Sequence, residues 1–184
     1  MLVKTYGSAV TGVDANTITI EVSVDRGIRY FLVGLPDNAV KESQQRIMSA
    51  VKTNGMHWPG KQITINMAPA DIRKEGSAYD LPMAIGVLAA SGQIPETNLG
   101  DYIIMGELSL DGGLQPIKGT LPIAIQARRE KYKGVIVPIQ NAREAAIVSD
   151  LKVYGAVNIS EVVNHLNGEE LILDKNFFVE RLLL

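Results

Sequence analysis

The chain has 184 residues, of which 46% are hydrophobic and 21% are charged, so it is long enough to bury one core and is unlike a disordered protein. Its formal charge of −2 lacks the basic excess of a dedicated nucleic-acid-binding module, so any contact with DNA must come from a local patch. The absence of cysteine excludes disulfides, thiolate zinc sites and a cysteine nucleophile. His57 and His165 lie far apart in the sequence and neither has a ligand-spaced partner, which argues against a metal site.

The sequence shows no targeting or membrane-spanning segment. The N-terminal residues MLVKTYGSAV lack the run of about 7–15 apolar residues of a signal peptide. No stretch reaches the roughly 20 apolar residues that are needed to span a bilayer. We therefore expect a cytoplasmic protein without a membrane partner.

The opening of the chain predicts a β-hairpin followed by a helix. Residues 17–24 (TITIEVSV) alternate β-branched and polar side chains, as a half-buried strand does. Residues 29–36 (RYFLVGLP) follow the turn signal DRG, so we predict that these two segments pair as a hairpin. A helix is predicted from residue 38 to an Asn-Gly pair at 54–55, with Asp37 as its N-cap.

The middle of the chain predicts a strand, a central helix and a second hairpin. Residues 61–70 (KQITINMAPA) predict a strand that a proline stops. Asp80 can cap a helix that carries Pro82 in its first turn, and residues 81–92 are apolar on nearly every face, so we expect this helix to be central. Residues 102–119 predict a strand and then a hairpin centred on Asp-Gly-Gly.

The second half of the chain alternates helices and strands. Residues 120–134 predict a helix whose last turn is basic, which suits the negative end of the helix dipole. The segments that follow are a strand at 134–138, a helix at 141–150, a strand at 151–157 and a helix at 160–168. This order predicts an α/β fold of the two-layer α+β type, with an α+β opening and an α/β closing half, in one domain at residues 1–168. Residues 169–184 are interpreted as a tail or as a linker toward a further domain.

The glycine-rich stretch GGLQPIKGT does not match a phosphate-binding loop. That motif needs a lysine directly after its last glycine, whereas Lys118 precedes Gly119. Pro116 also removes one of the backbone N–H groups that would contact phosphate. We therefore expect no ATP site in this chain.

The stretch KEGSAYDLPMA at residues 74–84 is the strongest candidate for a catalytic site. A serine nucleophile such as Ser77 needs a base, and a desolvated lysine can serve. Lys74 and Lys118 are the candidates, but both are predicted to lie in exposed loops beside acids, where a lysine stays protonated. From the residues alone, the assignment as a Ser–Lys hydrolase stays an open alternative.

Two further sets of charged residues admit a functional and a structural interpretation. Glu107 follows a strand and could act as a general acid or base, but its context favours bonding to nearby backbone N–H groups. Basic residues are interpreted either as a solvated surface or as contacts to DNA or a partner. The candidates for such contacts are Arg73, Lys74, Arg128, Arg129, Lys131 and Lys133.

Several segments in order resemble one family. They include TGVDANTITIEVSVDRG, FLVGLPDNAVKESQQRI, INMAPADIRKEGSAYDLPMAIGVLAASG, GELSLDGGLQPIKGTLPIAIQAR and VIVPIQNAREAAIV. Together they resemble the N-terminal domain of magnesium-chelatase-like AAA+ ATPases of the ComM/YifB type over about residues 3–168. The resemblance implies a ribosomal protein S5 domain 2-like fold, as in the proteolytic domain of Lon and the C-terminal domain of RadA.

The Lon motifs can be compared residue by residue. Lon proteases carry Lys-Asp-Gly-Pro-Ser-Ala-Gly, and alignment with residues 74–80 places Ala78 on the nucleophilic serine and Ser77 on the proline. In a helix, one residue of displacement turns a side chain by about 100°. The second Lon motif aligns with GELSLDGGLQPIKGTL and places Leu121 on the catalytic lysine, with Lys118 three positions earlier. The resemblance therefore implies that both halves of the catalytic dyad are absent.

What remains of the motifs is interpreted as a structural scaffold. Its residues are Gly76, Asp80, Pro82, Gly106, Glu107 and Gly119.

In the family this domain precedes an AAA+ motor that holds ATP and Mg, and the ComM type is implicated in DNA branch migration during natural transformation as a hexameric helicase. The resemblance implies a non-catalytic accessory domain, without a cofactor of its own, that supports oligomer assembly, DNA engagement or both. Its partners would be its own motor domain, further copies in a homo-hexamer, and DNA. Two alternatives stay open, a Ser–Lys peptidase of shifted register that uses Ser77 and Lys118, and a protein-interaction module that never meets DNA.

Overall fold

The computed structural model describes residues 1–169, 172 and 174, which form an α/β structure of mixed sheets and helices, as the sequence predicts. The strands are β1 (Leu2–Thr11), β2 (Asp14–Asp25), β3 (Tyr30–Val33), β4 (Gln62–Ala68), β5 (Tyr102–Ile104), β6 (Glu107–Leu108), β7 (Leu114–Gln115), β8 (Gly134–Pro138) and β9 (Lys152–Ala156). The helices are α1 (Asn38–Lys41), α2 (Ser43–Thr53), α3 (Asp80–Ala90), α4 (Thr120–Arg129), α5 (Ile139–Ala145) and α6 (Ile159–Asn167). The predicted tail or linker at 169–184 lies largely outside the described residues.

The first sheet has the strand order β1-β2-β4-β3 and corrects the predicted hairpin. β2 pairs antiparallel with β1 and with β4, and β3 pairs parallel with β4. The prediction that 17–24 and 29–36 pair with each other is therefore wrong. The reason is that Ile63, Ile65 and Met67 of β4 are buried on the same face as the apolar residues of β2 opposite them, so β4 continues one apolar face between the two segments.

Helix α3 lies at the centre of the molecule, as predicted. All eleven of its residues are buried, and it packs against β1 and β2. The close approach depends on Gly86, since a Cβ there would lie 2.6 Å from Cγ2 of Val22. The Oγ1 of Thr5 donates to the carbonyl of Pro82 at 2.8 Å, which joins β1 to the first turn of the helix. The apolar character of residues 81–92 on nearly every face thus identified a core element.

The predicted helix at 38–54 is present as two consecutive helices, α1 and α2. Asp37 caps α1 as predicted, because its Oδ1 accepts from the backbone N–H of Val40 at 2.8 Å. Gly55 follows α2 with a φ of 74°, the left-handed conformation that an Asn-Gly helix end provides.

The second sheet is parallel, with the order β5-β8-β9, and confirms the predicted alternation. Every residue of its middle strand β8 is buried, as expected for a parallel sheet covered on both faces. Helix α4 contacts β2, β8 and α5 and so connects the two sheets.

The β6–β7 hairpin joins the two halves of the chain. Asn54, at the end of α2, donates from Nδ2 to the carbonyl of Asp111 at 2.9 Å, and its Oδ1 accepts from Ser160 Oγ of α6 at 2.8 Å. The backbone N–H of Ile159 donates to the carbonyl of Gly112 at 2.9 Å. A Cβ on Gly112 would lie 2.1 Å from the Asn54 amide nitrogen, so this turn depends on glycine.

Candidate functional site at the start of α3

The motif loop, residues 74–80, leads from the first sheet into α3. Gly76 has a φ of 85°, and its N–H donates to Oδ2 of Asp37 at 3.0 Å. The N–H of Asp80 donates to the carbonyl of Ser77 at 3.2 Å, and Pro82 lies in the first turn of α3, as predicted. Gly76 therefore serves the turn that the sequence assigned to it.

Lys74 is the largest departure from the sequence-based prediction for this loop. Its side chain has no exposed surface, so its predicted place in an exposed loop and its role as a contact to DNA or a partner are both wrong. The ammonium donates to the carbonyl of Gly34 at 2.6 Å and to that of Pro69. Burial lowers the pKa of Lys74, and Asp71 opposes that change. The neighbouring Arg73, by contrast, is exposed and pairs with Glu75 at 3.2 Å.

Asp80 forms a buried ion pair with Arg46 of α2. The Arg46 Nε donates to Asp80 Oδ2 at 2.7 Å and Nη2 donates to Oδ1 at 3.0 Å, with side chains 20% and 1% exposed respectively. The N–H of Leu108 donates to the same carboxylate at 3.1 Å. Burial raises the pKa of Asp80, while the bonds from Arg46 and Leu108 oppose the rise.

These bonds correct the predicted helix cap. Asp80 is the first residue of α3, and the residue at the cap position is Tyr79, which makes no side-chain cap bond. The carboxylate of Asp80 faces Arg46 and the β6 strand because the half-buried guanidinium offers two N–H donors at once. Asp80 was predicted as a scaffold residue that caps the helix, and its carboxylate instead bonds Arg46 and the backbone of Leu108.

Ser77 and Glu107 contact each other. The Ser77 hydroxyl donates to Oε2 of Glu107, and both side chains are half-buried. The Gly106 N–H donates to the carbonyl of Ala78 at 2.8 Å, and the N–H of Leu81 donates to the Gly106 carbonyl at 3.0 Å. A side chain on Gly106 would press on Leu114 at 3.0 Å, so the loop and β6 are held close together. Glu107 thus accepts from a side-chain hydroxyl where the sequence predicted a bond to backbone N–H groups.

The second candidate for a catalytic base lies away from this contact. Lys118 is exposed in the loop before α4, and within the part of the chain that the structure describes it takes part in no hydrogen bond or ion pair. Gly119 starts α4 with a φ of 79°. The positions aligned with the Lon dyad carry the apolar, half-buried residues Ala78 and Leu121. The structure brings Ser77 together with Glu107 rather than with a lysine.

The basic corner is a second candidate surface. It consists of the exposed residues Arg128, Arg129, Lys131 and Lys133 at the end of α4 and just after it. Arg128 donates to Ser149 Oγ at 3.3 Å, and Lys133 pairs with Asp101 at 3.2 Å. The helix predicted over 120–134 ends at Arg129, so its last turn is basic through Arg128 and Arg129, and Lys131 and Lys133 lie beyond the helix.

An open groove of about 1100 Å³ lies beside the basic corner. Its charged lining residues are Arg128, Lys131, Lys133, Lys152, Asp101, Asp150 and Asp174. Acids lie among the basic groups, which lowers the positive potential that a phosphate would meet. The basic corner remains a candidate contact surface of mixed charge.

Residues 1–169, 172 and 174 contain no cluster of three or more His, Asp or Glu side chains arranged to hold a metal ion. None of the helices in this part of the chain is both long and apolar enough to cross a membrane.

Arg46 is the residue of this site that the sequence did not indicate. It lies 34 positions before its partner Asp80, on helix α2. The only signal was an arginine directly before the buried Ile47, which is not specific.

Comparison with known proteins identifies the family. The family model described as subunit ChlI of Mg-chelatase matches residues 20–141. The protein named competence protein ComM of Haemophilus influenzae is 44% identical over 166 residues, covering 90% of this chain and 32% of the relative. The protein named YifB of Escherichia coli is 39% identical over 165 residues, covering 89% of this chain and 32% of the relative. The chain therefore belongs to the family of subunit ChlI of Mg-chelatase and is a magnesium-chelatase-like protein of the ComM/YifB type.

The comparison also finds a match to part of a Lon protease. Lon protease 2 of Bacillus subtilis is 28% identical over 142 residues, covering 76% of this chain and 25% of that protein. The chain spans about a third of the length of its ComM and YifB relatives.

Proposed function

We propose that this domain is a non-catalytic N-terminal accessory domain of a magnesium-chelatase-related AAA+ ATPase of the ComM type, acting in the cytoplasm. It supports oligomer assembly, DNA engagement or both, while a downstream motor module binds ATP and Mg. The working assembly is a homo-hexamer that migrates DNA branches in natural transformation. The family match and the identity to ComM support the AAA+ relationship.

One observation carries the non-catalytic part of the proposal. The polar groups of the motif loop are bonded to neighbouring structural groups, Ser77 to Glu107, Asp80 to Arg46, and Lys74 to two backbone carbonyls. A Ser–Lys dyad needs its lysine within hydrogen-bond reach of the serine, whereas the hydroxyl of Ser77 is bonded to Glu107 and the ammonium of Lys74 to backbone carbonyls. The fold proposed is the ribosomal protein S5 domain 2-like fold of Lon and RadA, which the identity to Lon protease 2 supports.

The parent reading frame tests the accessory role. We expect a G-x-x-x-x-G-K-[ST] phosphate loop within about a hundred residues after Leu184, since a Walker motif marks the motor module. A natural protein that ends at Leu184, or a downstream sequence without this loop, would contradict the proposal.

A peptide-hydrolysis assay tests the competing assignment as a Ser–Lys peptidase. We expect no turnover of unstructured peptides by the wild-type chain, and no difference in Ser77→Ala or Lys118→Ala variants. If the wild-type chain hydrolyses peptides and both variants lose this activity, the domain is a Ser–Lys peptidase of shifted register and the proposed accessory role is wrong.

Binding to branched and single-stranded DNA, followed by fluorescence anisotropy over a salt titration, tests DNA engagement. We expect binding at low salt that weakens steeply as salt rises, because phosphate contacts release counterions. Charge reversal by Arg128→Glu with Lys131→Glu should reduce the salt slope by about 2, one per phosphate contact. The matched control is Lys41→Glu with Lys52→Glu, two exposed lysines at the ends of α1 and α2.

If both pairs of variants lose DNA affinity equally, the effect comes from the net charge of the chain rather than from the basic corner. No binding by the full-length protein even at low salt would favour the remaining alternative, a protein-interaction module that never meets DNA.

A further inference from the structure

Two residues beyond α6 dock on the second sheet. Gly168 ends α6 with a φ of 73°, the left-handed conformation of a helix end. Ile172 packs against the hydrophobic core, and Asp174 forms an antiparallel bridge with Tyr154 of β9. In the part of the chain that the structure describes, β9 is an outer strand of its sheet, so Ile172 and Asp174 cover part of its open edge.

Two of the hydrogen bonds that hold these residues have an acceptor that can be protonated. The N–H of Ile172 donates to Nδ1 of His165 at 3.1 Å, and the N–H of Val153 donates to Oδ1 of Asp174 at 2.9 Å. A ring nitrogen that accepts a hydrogen bond carries no proton, so the docked His165 is a neutral imidazole with its proton on Nε2. A protonated ring has N–H groups on both nitrogens and would direct a donor at the N–H of Ile172.

The ring of His165 lies in a cluster of aromatic side chains. The residue is 7% exposed, and its ring centroid lies 4.5 Å from that of Tyr154 of β9 and 5.9 Å from that of Tyr102 of β5. Burial raises the pKa of Tyr154 to about 12 and also raises that of Tyr102, so neither phenol becomes an anion near neutral pH. Burial lowers the pKa of His165, because a charged ring would lose its water. The cluster therefore favours the neutral ring.

Two carboxylates accompany this cluster, and both accept from backbone groups. Glu161, one turn before His165 on α6, accepts from the N–H of Val157 at 2.8 Å. Asp174, on the docked side, accepts from the N–H of Val153. A carboxyl group ordinarily takes up its proton near pH 4, well below the pH at which a histidine does so. In mildly acidic solution the acceptor that is lost first is therefore the histidine.

We propose that His165 is a pH-sensitive clamp, and that protonation of its Nδ1 releases Ile172 and Asp174 from β9. A histidine in water takes up its proton near pH 6.5. Because docking requires the neutral ring, docking is complete well above this pH and weakens as the pH falls, by at most about tenfold per pH unit. Release opens the outer edge of β9. This device goes beyond the proposed accessory role and depends on neither DNA nor a motor module.

Hydrogen exchange of the Ile172 amide, measured by NMR over a pH series, tests the proposal. Its protection factor, the intrinsic exchange rate divided by the measured rate, should fall at least about tenfold between about pH 7.5 and about pH 5. Amides of α3 should stay protected over this range, which shows that the chain remains folded. Two-bond correlations between ring protons and ring nitrogens should show Nδ1 of His165 without a proton at about pH 7.5. Equal protection of Ile172 at the two pH values, or a protonated Nδ1 at the higher one, overturns the proposal.

Three variants separate His165 from other causes of a pH dependence. His165→Phe keeps an aromatic ring but has no acceptor, so the Ile172 amide should be weakly protected at both pH values. The matched control is His57→Phe at the other histidine, which is exposed, and it should keep the wild-type protection and pH dependence. Asp174→Asn keeps an oxygen acceptor that takes up no proton, so the pH dependence should remain. Strong protection in His165→Phe, or a pH dependence that Asp174→Asn abolishes, overturns the proposal.

Discussion

The motif loop and the basic corner both place charged residues beside a helix terminus, but they use the charges differently. In the motif loop, Lys74 and Asp80 are buried and bonded to fixed partners from distant parts of the chain. In the basic corner, Arg128 and Lys133 are exposed and bond weakly to neighbours at the surface. A charge at a helix terminus is therefore structural where burial removes water and available to a partner where water remains. Unfolding free energies of matched variants test this difference.

The largest expected loss is at Asp80. Replacement by Ala leaves the guanidinium of Arg46 without its buried partner, which should lower the free energy of unfolding by about 3–5 kcal/mol. Urea denaturation followed by circular dichroism measures it. The double variant Asp80→Leu with Arg46→Met removes both charges and should lose less than Asp80→Ala alone. A loss below about 1 kcal/mol in Asp80→Ala would place this pair with the weak surface pairs.

The next loss is expected at Lys74. Its replacement by Met keeps the volume but leaves the carbonyls of Gly34 and Pro69 without their donor, which should cost about 2 kcal/mol. The neighbouring Arg73→Met is the control, because Arg73 is exposed and its ion pair with Glu75 contributes within about 0.5 kcal/mol. Equal effects in the two variants, measured by urea denaturation, would show that burial of Lys74 has no energetic role.

A smaller effect is expected at Ser77. The Ser77→Ala variant loses one half-buried hydrogen bond and should lose about 1 kcal/mol of stability. Glu107→Gln keeps an acceptor for the hydroxyl and should lose less. Thermal denaturation of the two variants in parallel makes the comparison, and a larger loss in Glu107→Gln would mean that the charge of Glu107, rather than its bond to Ser77, stabilises the loop.

The smallest effect is expected in the basic corner. Arg128→Glu and Arg129→Glu reverse charges at the end of α4, where positive side chains favour the helix dipole, so each should lose only about 0.5 kcal/mol. Thermal denaturation at low and at high salt measures it, and the difference should shrink at high salt. A loss of several kcal/mol would mean that this surface is structural like the motif loop.

The sequence predicted the elements that periodicity and turn chemistry determine. The apolar run of α3, the Asp37 cap and the hairpin around Gly112 are each encoded by residues close together in the chain, and each is confirmed. The pairing between strands could not be predicted in this way. Alternation of apolar and polar residues shows which face of a strand is buried, but it does not show which strand lies beside it. This is why β4 lies between β2 and β3 where a hairpin was predicted.

The chemistry of the motif loop could be predicted only in part. Alignment with the Lon motifs placed Ala78 and Leu121 at the dyad positions, and the structure leaves Ser77 bonded to Glu107 instead of to a lysine. The burial of Lys74 and its approach to Gly34 depend on the three-dimensional course of two loops, and lysine is rarely found without exposed surface. No local pattern in a single sequence reports such contacts.

The amide side chain of Asn54 has a mechanical consequence. It connects α2 to α6 across 106 positions of sequence through its bond from Ser160, while its other end holds the β6–β7 hairpin. Helix α2 in turn carries Arg46, which bonds Asp80 at the start of α3. The Asn54→Ala variant removes both side-chain bonds but keeps the bond from Ile159 to Gly112, so the amide hydrogens of α6 should exchange faster than in the wild type while the core stays protected.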